Sequence, residues 1–277
     1  VLVFALTQES TAEETPKMDW AGVVTLGIAF LAIYLAIDEV GALAAANWGL
    51  VAILVVIAVV FFVIFWNIES RKKDPMVTTH YLKQRRTWGL LLTTLLTMTG
   101  VFAVMNGVVP AIAQDPVMGV DMKPDMVSFA TLTPYALLGL CFGPVAGVLA
   151  SKFGYRSVLR AGLIVSIAGV LFGIFLSNNA SIPSLVIISV VLGIAYAGTA
   201  NIMLNGLGIV LSPEDNPGYL PGMNAGAFNL GAGLSFAVLY AVMDAFAMNG
   251  AQVGYSAAMI ASAVLLGAAL LVSLFIP

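Results

Sequence analysis

The sequence predicts an all-α fold, a polytopic bundle of transmembrane helices. Three observations carry that prediction. Of 277 residues, 61% are hydrophobic and only 9% are charged, whereas soluble domains carry about 25% charged residues. The apolar residues are gathered into runs long enough to cross a bilayer, which takes roughly 20 residues per helix. The runs lack the ten-residue alternation of barrel strands, and in lipid only helices and closed barrels satisfy every backbone group.

Taken in order, the chain opens with an apolar stub at 1–8, beginning Val1-Leu2-Val3. The stub reads as the end of a preceding transmembrane helix whose start is missing, so the chain is expected to be an N-terminally truncated piece. Eight spans come after it: α1 over 20–38, α2 over 48–68, α3 over 88–113, α4 over 126–150, α5 over 158–177, α6 over 183–211, α7 over 219–246 and α8 over 253–276. Each is an apolar stretch bounded by polar joints. The lengths of α6 and α7 predict tilt or protrusion from the bilayer. The longest polar joint, 69–87, separates α1 and α2 from the last six spans.

Lys and Arg in short loops stay on the cytoplasmic side. Of eleven such residues, Lys17, Arg71, Lys72, Lys73, Lys83, Arg85, Arg86, Lys152, Arg156 and Arg160 fall on one side if the spans alternate, and only Lys123 falls on the other. That split supports the span count and places both chain ends in the cytoplasm, in the manner of a bacterial inner membrane protein. The joint 69–87 is too short and too mixed in charge for a nucleic-acid-binding tail. Its basic residues are expected to meet anionic headgroups, with His80 as a solvated surface residue. Cys141, alone of its kind, allows neither an intrachain disulfide nor a cysteine metal cluster and reads as a packed small thiol.

No catalytic set is present. The sequence has no phosphate loop with Lys, no His/Glu metal pair and no nucleophile with a base, so neither an enzyme nor a metal site is expected. Polar residues inside spans are costly and therefore mark candidate pathways. In α3, Thr99, Asn106, Pro110 and Gln114 fall on one face at helical spacing, either as a cavity-lining stripe or as interhelical hydrogen bonds. Pro110 also frees a carbonyl and can bend the helix. In α6, Asn201 and Asn205 are one turn apart, with Tyr196 near. Tyr135 in α4 offers an aromatic wall, or a packed ring with one satisfied hydroxyl. Asn224 and Asn229 in α7 are too far apart in angle to share a face and read as structural glue. The Gly226–Gly233 stretch reads as close helix packing. Asp244 is the one acidic residue well inside a span of the last six helices, which makes it the proton-coupling candidate, with Asp38 and Glu39 at the outer end of α1.

Several joints resemble the major facilitator superfamily, and more narrowly its fourteen-span drug:proton antiporter group. Glu9-Ser10 is similar to the end of that group's sixth span. Asp19-Trp20-Ala21-Gly22 is similar to the opening of its seventh, and Trp48 sits where a Trp precedes its eighth. Glu69, Asp74-Pro75-Met76 and Tyr81 to Arg86 resemble the joint before the ninth, and Val109-Pro110 to Gln114 its end. Thr133-Pro134 and Pro144 to Gly147 resemble the tenth. Gly147 to Arg156 is similar to the superfamily's basic loop, and Asn229 to Ala237 to the thirteenth span. Two positions depart from the pattern. Ser151 stands where the loop has an acid, and Phe228 where the thirteenth span has an Arg.

The resemblance implies a division into the end of a preceding helix (1–8), an inserted pair of helices (9–68), a cytoplasmic linker (69–87) and a C-terminal six-helix bundle (88–277). The N-terminal six-helix bundle, with the usual coupling carboxylates, would be missing. It implies alternating access around a midplane site, with Gly147, Ser151, Lys152, Gly154 and Arg156 forming a cytoplasmic gate loop. The partners implied are the lipid bilayer and a small-molecule substrate. No cofactor is implied, and the proton gradient would supply the energy. The expected activity is export of amphipathic, drug-like molecules. Uptake of a small metabolite is the alternative, and a membrane scaffold or receptor is the reading from a different class.

Overall fold

The computed structural model describes residues 19–42, 45–72 and 79–277. The stub at 1–8, Lys17, Lys73 and the Asp74-Pro75-Met76 joint lie outside the described residues. Among those described, eight helices are long and apolar enough to cross a membrane: α1 Trp20–Gly41, α2 Trp48–Arg71, α3 Arg85–Gln114, α4 Pro124–Phe153, α5 Tyr155–Asn178, α6 Ile182–Val210, α7 Tyr219–Ala247 and α8 Ala251–Ser273. The observed ends lie within a few residues of those predicted. α4 is interrupted at Thr131, where the hydroxyl turns back to the Val127 carbonyl and Pro134, three residues on, has no N–H to donate. α4 and α5 are separated by Gly154 alone, at φ +83°, a left-handed conformation that a side chain would strain.

α3 to α8 form the bundle, and α3 runs through its middle between α7 and α8. No hydrophobic force drives helices together in lipid, so close packing and polar contacts hold them. Small residues make that packing possible. A Cβ at Gly231 of α7 would lie 2.6 Å from the Cβ of Met98, and one at Gly100 would lie 3.1 Å from Leu266 of α8. Hydroxyls add specific links. Ser262 donates to the Gly100 carbonyl, and Ser235 accepts from the Ala103 N–H at 2.8 Å. Asn224 is 1% exposed and joins three helices. Its carbonyl oxygen accepts from the Thr94 hydroxyl at 2.6 Å, and its amide donates to the Leu204 carbonyl at 3.4 Å. Structural glue is the role its position gives it.

α1 and α2 form a separate hairpin that meets the bundle through α1 against α7. Ala29, Ala32 and Ala36 give α1 its buried face, while α2 buries only Ala58, Phe65 and Glu69 along its length. Both ends of the hairpin are tied. At one, Lys72 pairs with Asp19, which also caps α1 through the Gly22 N–H at 2.8 Å. At the other, the Glu39 carboxylate accepts from the Asn47 N–H at 2.7 Å. Glu39 is thus a capping residue.

Candidate functional site

The α3 stripe does not keep one face. Pro110 cannot donate to the preceding turn, and the helix widens over Val104–Val108, where the Val109 N–H bonds the Val104 carbonyl five residues back. A widened turn carries one residue more than an α-turn and rotates the remainder of the helix about its axis. Thr99, before it, is buried with its hydroxyl on the Leu95 carbonyl. Asn106 and Gln114 are exposed, each donating only to its own helix, at Phe102 and Pro110. Pro110 is half-buried.

α6 has a second wide segment, Gly193–Ala200. The Thr199 hydroxyl donates to the Ile194 carbonyl at 2.8 Å, also five residues back. Its neighbours leave no room for side chains. A Cβ at Gly193 would lie 2.6 Å from the Tyr135 carbonyl of α4, and one at Gly162 of α5 would lie 2.8 Å from the Ala195 carbonyl. Tyr196 is buried with its hydroxyl on the Met98 sulfur, which joins α6 to α3. Tyr135 is half-buried beside this segment.

Beyond the wide segment, Ile202 approaches α4 at Gly143, and Leu204 faces Asn224 of α7. Asn201 is half-buried and Asn205, one turn on, is exposed. The Asn205 amide donates to the Asn201 side chain at 3.0 Å. Asn229 of α7 is also exposed, bonded only to the Ala225 carbonyl. Asn106, Gln114, Asn205 and Asn229 are thus exposed neutral amides and Asn201 a half-buried one, each bonded within its own helix. Thr99 and Tyr196 are not among the exposed polar groups, because both are buried and bonded inside the bundle.

Asp244 lines a cavity of about 760 Å³ between the far ends of α1 and α7, and Asp38 lines it too, with Tyr34 and Tyr240. Sequence reasoning noted both acids but not their convergence, because nothing in the sequence says that α1 packs on α7. A second cleft of about 610 Å³ brings Gln114 beside Asp115 and Tyr255. The Asp115 carboxylate accepts from the Met118 and Val117 N–H groups and from the Tyr255 hydroxyl. The two backbone bonds, chiefly, hold it below the usual carboxylate range.

At the basic end, Ser151, Lys152, Gly154 and Arg156 are exposed, and a Cβ at Gly147 would meet nothing within 4 Å. The Ser151 hydroxyl donates to the Val148 carbonyl, so the position where the basic loop has an acid serves here as a local helix contact. Two of the arginines at this end have specific partners within the protein. Arg160 donates to the Ser273 carbonyl at 3.0 Å and Arg85 to the Phe275 carbonyl at 2.8 Å, with Arg85 also over the Phe275 ring. Both neutralise the carbonyl end of α8, where a helix dipole favours cations. Cys141 corrects the packed-thiol expectation. It is exposed on α4, because an apolar run reads the same whether it faces lipid or core. Among the described residues no three His, Cys, Asp or Glu side chains converge as a metal site.

The Major Facilitator Superfamily profile matches residues 20–236 and 90–277. The chain is 56% identical over 261 residues to the Uridine/deoxyuridine transporter of Lactococcus lactis subsp. cremoris (strain MG1363), covering 92% of this chain and 54% of that protein. It is 23% identical over 175 residues to Multidrug resistance protein 3 of Bacillus subtilis (strain 168), covering 62% of this chain and 32% of that protein. The chain thus spans about half the length, or less, of the curated relatives it matches. With its eight membrane-length helices and a profile match over nearly all of the described residues, this chain belongs to the major facilitator superfamily.

Proposed function

We propose that this chain is part of a transporter that takes up a pyrimidine nucleoside, uridine or deoxyuridine, by alternating access. The similarity to the Lactococcus lactis protein carries the reading, through its identity and its cover of this chain. Drug export, the activity expected from the joint motifs, has the weaker support of a 23% match, and uptake of a small metabolite takes its place. The polar side chains within the spans agree in chemistry. A pyrimidine nucleoside is neutral, with carbonyl acceptors, an N–H donor and sugar hydroxyls. Asn and Gln amides offer both donors and acceptors without charge. Asn106, Asn201, Asn205 and Gln114 would meet the nucleoside, and Tyr135 would stand behind them. A second six-helix bundle, supplied by the rest of the protein, would complete the cavity.

The Gly147–Arg156 turn would open and close the cytoplasmic side. Asp244, facing Asp38 across the outer cavity, is the proton-coupling candidate, with the proton gradient as energy source.

The test is uptake of labelled uridine by the full-length protein in liposomes under a pH gradient. Saturable uptake is expected, with deoxyuridine competing and no extrusion of lipophilic dyes. Asn205→Leu should reduce uptake at least about tenfold, the loss expected when about 1.4 kcal/mol of binding disappears. Asp244→Asn should remove the dependence on the pH gradient while counterflow exchange of uridine continues. Dye extrusion without uridine movement would sink the nucleoside reading. Unchanged coupling in Asp244→Asn would remove Asp244 from the mechanism.

A further inference from the structure

At the basic end of the α1–α2 hairpin two carboxyl groups meet. Asp19 stands just before α1, and Glu69 lies near the end of α2. Neither faces water. The Asp19 side chain is 5% exposed and Glu69 is 1% exposed. A Cβ built on Gly22 would lie 2.5 Å from Glu69 Oε1 and 2.7 Å from Asp19 Oδ2. The glycine therefore does more than let α1 approach α2. It leaves the space in which the two carboxyl groups come into hydrogen-bond contact.

The surrounding groups treat the two acids differently. Asp19 Oδ1 accepts from the Gly22 N–H at 2.8 Å and from the Lys72 ammonium. Asp19 Oδ2 is buried, and no amide or ammonium reaches it. Glu69 Oε1 is buried as well. Among the described residues, Lys72 and Glu69 are the charged groups that act on Asp19. Arg71, beside Lys72, is exposed. α7, the other helix packed on α1, carries Asp244 at its opposite end and has no Lys or Arg. Two buried carboxyls thus share one cation.

An ionised carboxylate only accepts hydrogen bonds, so two of them in contact repel. Like charges held this closely do not both ionise near neutral pH, and one of the pair keeps a proton. The partners decide which one. The Gly22 N–H and the Lys72 ammonium both favour the charged form of Asp19. Glu69 is the more deeply buried of the two, which favours its neutral form, and Asp19 Oδ2 stands ready to accept its proton. With Glu69 neutral the charges balance, Lys72 against Asp19.

We propose that Asp19 and Glu69 hold one proton between them at neutral pH, carried by Glu69 and donated to Asp19, and that this proton clasps the basic end of the α1–α2 hairpin. The closed end binds a proton that an open end, with Glu69 in water, releases. Closure is therefore favoured as pH falls and lost as pH rises above neutral. Asp38 and Asp244 lie at the other end of α1, so the clasp stands apart from them. It is also independent of the nucleoside reading, because it shares no residue with the polar groups assigned to the substrate.

The experiment uses purified full-length protein in bilayer discs, with infrared spectroscopy of the protonated carboxyl stretch and spin labels at the basic ends of α1 and α2. At neutral pH, the spectrum of the unaltered protein minus that of Glu69→Gln should show one protonated-carboxyl band. The band should disappear as pH rises, and the distance between the labels should broaden over the same range. Glu69→Gln keeps a donor toward Asp19 and should hold the narrow distance throughout that range. Gly22→Ala sets a methyl group against both carboxyls and should move the broadening to lower pH. Glutamate labelled at its carboxyl carbon should shift the band in the unaltered protein, which assigns it without any substitution. No difference band at neutral pH, or a band that the label leaves in place, would overturn the proposal. So would a Glu69→Gln hairpin that broadens with pH as the unaltered one does, or a Gly22→Ala hairpin that broadens at the unaltered pH.

Discussion

The six-helix bundle and the α1–α2 hairpin are both apolar, α2 the most so of all, but are held by different means. In the bundle, glycines press backbone against backbone and hydroxyls reach across helices, as at Gly231, Gly100, Ser235 and Asn224. In the hairpin, α2 buries three side chains over 24 residues, packs along the small buried residues of α1, and is tied at both ends. Packing in lipid depends on close fit and polar links rather than on apolar surface. The bundle should therefore be sensitive to single atoms, and the outward faces of the hairpin, away from its small-residue seam and its ties, tolerant of most changes.

The largest expected effect is at a glycine. Gly231→Leu drives a side chain into Met98 and the Leu95 carbonyl and should destabilise the protein by about 3 kcal/mol, at the upper end of overpacking. Gly27→Leu on α1 meets nothing within 4 Å and should stay within about 0.5 kcal/mol, as for other exposed sites. Unfolding in detergent, monitored by helical circular dichroism, compares the two. Equal loss in both would erase the distinction between the regions.

A smaller contrast comes from amides. Asn224→Leu leaves the buried Thr94 hydroxyl without its partner on α7 and should cost about 1–3 kcal/mol, the range for orphaned buried groups. Asn67→Leu on α2 removes only a bond to its own Val63 carbonyl at an exposed position, and stability should hold or rise slightly in lipid. The same unfolding measurement, made in bilayer discs, separates them.

The spans were legible because each is a long apolar run, and hydropathy needs nothing else. The polar positions were legible as positions but not as roles. Thr99 and Asn106 share a face on a regular helix, and only the widened turn ahead of Pro110 divides them. That turn shows in the sequence only as a proline. The wide segment of α6 depends on Gly193 and Gly162 meeting α4 and α5, which are long-range contacts that local pattern does not encode. Cys141 and Met98 both sit in apolar runs, one outward and one buried, since hydropathy cannot separate lipid from core. Asp38 and Asp244 could be placed at similar depth, but their meeting needed the docking of α1 on α7.

The smallest effect tests the hairpin's tie. The Asp19 carboxylate is held at a pKa of about 2, against 3.8 unperturbed, first by its bond to Lys72, with the Gly22 N–H and Glu69 adding to it against the cost of burial. A carboxyl whose pKa is lowered on folding contributes its full share above its unfolded value and loses it as pH falls through the folded one. The tie should therefore be constant from neutral pH down to about 4 and weaken between about 4 and 2. Spin labels at the basic ends of α1 and α2 should report a fixed distance over the first range and a broader one over the second. Asp19→Asn should show the broad distribution at every pH, at a cost on the order of 1 kcal/mol for a partly exposed ion pair. Its bundle should unfold as before. A bundle that weakened along with the hairpin in Asp19→Asn would mean that the two regions fold as one unit and that the tie acts through α7 rather than on α2 alone.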